Sequence, residues 1–244
     1  MVVCCAYIAA SQLDWRRIMD SFHTGSEFIS GMRTYMEGDR EKSLKALGDL
    51  LDKNPKDASL HVLLGNLLYS HGTLGKSAEH YEQALKLAPG MCQAWYKLGV
   101  CYVRMGKLSE ALRAFTKNVE AECGTHVMSY YWMGLINNFL GNDEKAQEAF
   151  STLRQESDES LLANFFLAQL YMKRNEHARA LPLLEELVKM SPDFAEAHFL
   201  IGEAYAGMYK NFEAIQSFRK AVELNPEDKR AKMMLDHYTG DSSF

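Results

Sequence analysis

The chain is predicted to be all-α, a solenoid of about six stacked helix–turn–helix hairpins, and three observations carry that expectation. The first is a period. Gly31, Gly65, Gly99, Gly134, Ala168 and Gly202 follow one another in steps of 34 residues, with one step of 35. The second is a matched series of small residues, Ser43, Ser77, Ala111, Ala146, Ala180 and Ala214. Each is followed four residues on by a large apolar one: Leu47, Tyr81, Phe115, Phe150, Leu184 and Phe218. The third is proline at Pro55, Pro89, Pro192 and Pro226, where it ends a helix and fixes the turn to the next hairpin. Self-similarity at this period marks supersecondary units that bury a core only by stacking on neighbours.

The third unit is the most complete. In Trp95-x-x-Leu98-Gly99-x-x-Tyr102, residues Leu98, Gly99 and Tyr102 share one helical face. Glycine in mid-helix costs about 1 kcal/mol relative to alanine, so a second helix is expected to pack against Gly99 too closely for a side chain. Gly106 makes the turn, and Leu108, Ala111, Leu112 and Phe115 give the second helix its apolar face.

This pattern resembles the tetratricopeptide repeat family, and the resemblance spans 204 of the 244 residues. It implies a right-handed superhelix of units 24–57, 58–91, 92–125, 127–160, 161–194 and 195–228. Residues 1–23 form an N-terminal extension, and residues 229–244 a capping helix with a frayed tail. The fourth unit starts one residue late, and Cys123 and Asp158 stand where proline would close units three and four.

At the start of the chain, residues 1–10 are almost wholly apolar but half the roughly 20 residues that a bilayer span needs. They read either as a tail folded on the first repeat or as the end of a membrane anchor. Ser11 and Asp14 resemble a capping box opening a short helix with Leu13, Trp15 and Phe22 over the solenoid's end. In the first unit, Gly38-Asp39 makes the turn, and Asp39 is expected to cap a helix running through Leu50 and Leu51. His71 to Ser77 reads as a long loop between the helices of the second unit. In the fifth, Pro182 should free the Ala178 carbonyl and bend its helix toward solvent. After Pro226, Glu227 to Tyr238 forms the cap, with Ala231, Met234, Leu235 and Tyr238 on one face.

Catalytic, metal-ligating and cofactor-binding residues are all expected to be absent. Gly72-x-x-Gly75-Lys76-Ser77 lacks the first glycine and the preceding strand of a phosphate-binding loop. Cys123-x-x-His126 has no second pair at zinc spacing. His61 and His198 take the place of Trp95 in their units, which points to packing. The five cysteines show no disulfide framework and suit a reducing compartment, with Cys92 and Cys101 as small apolar packing residues. A net charge of −5 without basic runs excludes a nucleic-acid footprint.

The resemblance further implies that the first helix of each unit lines an inner wall. Its first column is Phe28, Val62, Tyr96, Tyr131, Phe165 and Phe199, and its second Met32, Asn66, Val100, Leu135, Gln169 and Glu203. The third adds Tyr35, Tyr69, Val103, Asn138 and Met172. Five of the first six are aromatic, where a solvated wall would be charged, and aromatics recur as binding anchors. The competing reading is that tight curvature buries part of this column. Asn66 has no lysine beside it on the face, since Lys97 lies one step round, which disfavours a clamp for acidic C-terminal tails. The expected function is therefore a non-enzymatic scaffold or adaptor that binds a peptide or partner helix in this groove. The alternatives are a membrane-anchored assembly factor, a regulatory repeat domain of an enzyme complex, and self-association through an exposed end. The expected location is the cytoplasm, or a membrane if residues 1–10 anchor the chain.

Overall fold

The computed structural model describes residues 39–121, 126–156 and 161–240. The chain forms two compact units, Met1–Glu122 and Cys123–Phe244. Among the described residues there are twelve helices and no strands. The first unit holds α1 (Arg40–Lys53), α2 (Ala58–Ser70), α3 (Leu74–Leu87), α4 (Cys92–Arg104) and α5 (Leu108–Glu120). The second holds α6 (Val127–Phe139), α7 (Asp143–Glu156), α8 (Leu161–Lys173), α9 (His177–Met190), α10 (Ala195–Gly207), α11 (Asn211–Leu224) and α12 (Lys229–Thr239). The architecture is the expected all-α solenoid of hairpin repeats. Phe28, Met32, Tyr35, the apolar N-terminal run, the capping box at Ser11 and the turns at Cys123 and Asp158 lie outside the described residues.

Four hairpins close by the same device. The helix-B aromatic lies over the helix-A glycine: Tyr81 on Gly65, Phe115 on Gly99, Phe150 on Gly134 and Phe218 on Gly202. All four rings are fully buried. The small residue one turn earlier lets the two helices approach, and Ser77 uses that closeness to donate a hydrogen bond of 2.7 Å to the Gly65 carbonyl. The turn between helices needs a left-handed residue at one fixed position. Gly72, Gly106 and Gly141 supply it in three hairpins, and Asn175 (φ 57°) and Tyr209 (φ 60°) in the other two.

Three helices open on an aspartate cap. Asp39 accepts from the Lys42 amide at 3.2 Å and opens α1 as expected. Asp57 accepts from the Ser59 and Leu60 amides, and Asp228 from those of Arg230 and Ala231. In α12, Ala231 is fully buried while Met234, Leu235 and Tyr238 pack on the same core, and Tyr238 stacks 6.0 Å from Phe218. The end of the repeat array is covered, as a solenoid requires.

Two expectations are corrected. The stretch from His71 to Ser77 is no long loop: α3 begins at Leu74, and Gly72 in the left-handed region turns the chain in three residues. Cys92 is disulfide-bonded, so the cysteines are not all unpaired thiols. Pairing depends on two sulfurs coming within reach in space, which spacing along the chain does not report. Cys101 is free and buried, and burial pushes its thiol pKa up.

Candidate partner-binding wall

The wall is built by the first helix of each hairpin: α2 and α4 in the first unit, α6, α8 and α10 in the second. Its residues recur at helical spacing, so a column spaced by four and three residues falls on one face. The structure divides the expected set. Asn66, Tyr69, Tyr96, Val100, Val103, Tyr131, Leu135, Asn138, Phe165, Gln169, Met172 and Glu203 are half-buried. Val62 and Phe199 are only 5% and 4% exposed, and they are corrected from wall to core. Val62 packs with Ala78, Tyr81 and Leu98. Phe199 lies 5.7 Å from Phe218, and the Arg230 guanidinium covers its other side at 4.7 Å.

The aromatic column is therefore shared between wall and packing. Tyr96 leans on Phe115 at 6.0 Å, the relation that Phe199 has with Phe218. Tyr131 meets Phe166 at 5.9 Å, and Phe165 meets Phe194 at 5.4 Å. Tyr69 carries the Arg104 guanidinium on its ring face at 4.6 Å. Asn66 accepts a 2.7 Å hydrogen bond from the Tyr81 hydroxyl, which ties one wall residue to the buried ring beneath it. Val100 and Val103 belong to no core cluster, and they are the apolar side chains of the wall least committed to internal packing.

Charge is distributed unevenly. Ion pairs lie on the second helices (Lys117–Glu120 on α5, Arg154 of α7 with Glu186 of α9, Lys220–Glu223 on α11) and at first-helix positions outside the wall column (Lys173 of α8 with Asp143, Glu196 of α10 with Arg230). On the wall the one acidic side chain is Glu203, where burial raises the carboxyl pKa against the opposing pull of Arg230. In the first unit, Lys97, the residue after Tyr96 on α4, is desolvated enough to hold its ammonium below the usual lysine range.

Sequence reasoning missed a cleft of about 810 Å³ among α7, α8 and α9, floored by Leu167, Leu183 and Pro182. Its origin lies in a register. Tyr102 donates to Glu82 at 2.5 Å and Tyr205 to Glu185 at 3.2 Å, each glutamate lying twenty residues earlier. Tyr171 has Ser151 at that place, and the shorter side chain leaves the cleft open. Arg179 instead covers the Tyr171 ring at 4.2 Å and donates to its hydroxyl at 2.9 Å. The charged groups that line the cleft are paired, Arg154 with Glu186 across it and Arg179 with Glu176 outside it. The available signal was that Tyr171 shares the place of Tyr102 and Tyr205 but lacks the glutamate that each of those has twenty residues earlier.

His198 confirms a packing role for the position of Trp95. Trp95 Nε1 donates to the Pro89 carbonyl at 2.8 Å, and His198 Nε2 lies 2.9 Å from the Pro192 carbonyl. Asn164, at the same place in its hairpin, is fully buried with neither amide atom hydrogen-bonded. No helix among the described residues is long and apolar enough to cross a membrane.

The sequence profile described as "Tetratricopeptide repeat" matches residues 35–91, 77–121 and 165–229, together well over half of the chain. Among curated proteins the chain is similar to Anaphase-promoting complex subunit 3 of Schizosaccharomyces pombe. The two are 25% identical over 190 residues, which is 78% of this chain and 28% of that protein. It is likewise 25% identical over 210 residues to Protein CTR9 homolog of Arabidopsis thaliana, covering 82% of this chain and 19% of that one. The chain thus spans less than a third of these relatives' length. Among solved structures it resembles MamA protein (TM-score 0.64, 26% identity, 72% of this chain and 94% of that chain). It shares the fold of YrrB (TM-score 0.69, 22% identity, 81% and 99%).

Proposed function

This chain belongs to the tetratricopeptide repeat family, a family of protein-interaction scaffolds, and from that premise we propose that it binds a partner's apolar helix or extended segment against the first-helix walls. The observation that carries this reading is the contrast in side-chain chemistry. Ion pairs occur on the second helices and on the first ones, where Lys173 of α8 pairs with Asp143 and Glu196 of α10 with Arg230, but none of them uses a wall residue, and the wall bears half-buried aromatic and aliphatic residues with amides between them. Apolar surface kept at the rim of solvent gains free energy when a partner covers it, and aromatic side chains supply much of that area at low entropic cost. In the first unit the wall is Asn66, Tyr69, Tyr96, Val100 and Val103. In the second it is Tyr131, Leu135, Asn138, Phe165, Gln169, Met172 and Glu203. The amides of Asn138 and Gln169 suit the backbone of an extended segment, and the side-chain spacing suits anchors about one helical turn apart.

The test is site-specific photocrosslinking from Val100 and, as a control, from Lys117 on α5, combined with capture by wild type and by a Val100→Glu/Val103→Glu variant. Both valines lie outside the core clusters, so helicity should be retained. Partner adducts at Val100, none at Lys117, and loss of capture by the variant support the wall. Equal capture by wild type and a folded variant, with adducts at Lys117, would move binding to the second helices.

A further inference from the structure

His61 of α2 and His80 of α3 meet ring to ring across the first complete hairpin. Their Nδ1 atoms are 3.1 Å apart and their ring centroids 5.3 Å apart. The Pro55 carbonyl favours the protonated His61 ring, and at the equivalent place the Pro192 carbonyl lies 2.9 Å from Nε2 of His198. One ring bridges through Nδ1–H to the Nδ1 lone pair of the other, and among the described residues no hydrogen bond holds Nε2 of His80.

We infer that His61 and His80 form a chelating site for a divalent transition-metal ion of the zinc, nickel or copper class. Metal–imidazole bonds are about 2.0–2.1 Å long, so nitrogens 3.1 Å apart subtend about 100° at the ion, between square and tetrahedral angles. The rings now point at one another, and chelation turns each about its Cβ–Cγ bond; both are half-buried and open to solvent on one side. The bridging proton moves through solvent to Nε2 of the ring that carries it, so both Nδ1 lone pairs converge and no net proton is released. Asp57 acts on His61 and Glu79 on His80, and both favour a nearby cation. Among the described residues no group of three or more His, Cys, Asp or Glu forms a metal site, so water completes the coordination.

Nothing in the sequence marks this pair, because the two histidines are nineteen residues apart on different helices. The inference is independent of the partner-binding reading. Its test is calorimetric titration of the full chain with Ni²⁺ at neutral pH, for wild type, His61→Asn, His80→Gln and the control His237→Gln. Any site elsewhere in the chain is common to all four proteins. Wild type and the control are expected to bind one ion about tenfold or more tighter than either variant. The imidazole resonances of His61 and His80 in wild type are expected to broaden before those of other histidines. Equal affinity in wild type and the folded variants, or earlier broadening of other histidines, would overturn the site. The resonance measurement decides the matter on wild type alone if a variant fails to fold.

Discussion

The ring of Phe115 covers Gly99 so closely that a β-carbon on that glycine would stand 2.6 Å from Phe115 Cε1. The ring is fully buried, so the contact is with the body of a fixed side chain. A mid-helix glycine that costs about 1 kcal/mol in helix propensity is retained because an aromatic ring occupies the space of its side chain. The fifth hairpin solves the same crossing with a different pair, Ala168 and Leu184, both also fully buried.

Gly99→Ala is expected to destabilise the chain by about 1–3 kcal/mol through overpacking, despite alanine's better helix propensity. Adding Phe115→Leu, which recreates the fifth hairpin's pair, should recover part of that loss. Denaturant melts of the two single variants and the double variant measure the coupling. Strict additivity would show that the glycine and the ring do not share one space.

Tyr209 holds φ at 60° with its side chain 92% exposed, so its backbone strain is offset by little packing. Tyr209→Gly should stabilise the chain by about 0.5–1 kcal/mol, the left-handed penalty less glycine's entropy cost. Asn175→Gly should gain less, since asparagine tolerates this region. Thermal unfolding midpoints of the two variants give the comparison.

Asp228 caps α12, and its hydrogen bond with Arg230 holds its carboxyl below the usual carboxylate range. Asp228→Ala should cost about 1 kcal/mol at neutral pH through loss of the cap. The folded pKa is depressed, so this stabilisation is present above the unfolded value of 3.8 and is lost as pH falls below it toward the folded one. The gap in stability between wild type and variant should therefore narrow in acid. A gap that stays constant down to strongly acidic pH would show that the carboxylate's charge is not what caps the helix.

Ser151→Glu places a carboxylate twenty residues before Tyr171, in the register that Glu82 and Glu185 use toward Tyr102 and Tyr205. It should close part of the cleft, take the tyrosine hydroxyl's hydrogen bond and add about 0.5–1.5 kcal/mol. Circular dichroism melts and loss of Arg179 contact to Tyr171 in a structure of the variant would check it.

Much of the fold was legible because its devices are local or strictly periodic. The period located the glycine–aromatic crossings, Asp39 announced itself as a cap, and Ala231, Met234, Leu235 and Tyr238 declared the face of α12. The turn after α2 was misread because a run of small and polar residues looks like loop. Thr73 in fact precedes the first turn of α3, and a single left-handed glycine reverses the chain. Periodicity also placed Val62 and Phe199 on the wall column without revealing what would cover them. A neighbouring core buries the first, and an arginine from the capping helix buries the second.

The sequence by itself determined the hairpin, its repeat and which residues share one column on each first helix, since these follow from helical spacing and residue size. Tertiary structure alone decided which members of that column remain half-open, why a cleft opens where serine replaces glutamate, and that His61 and His80 meet at Nδ1. Exposure and ring-to-ring contact depend on side chains brought together from distant helices. Spacing along one helix constrains only the direction in which a residue leaves the backbone, and not what it meets there.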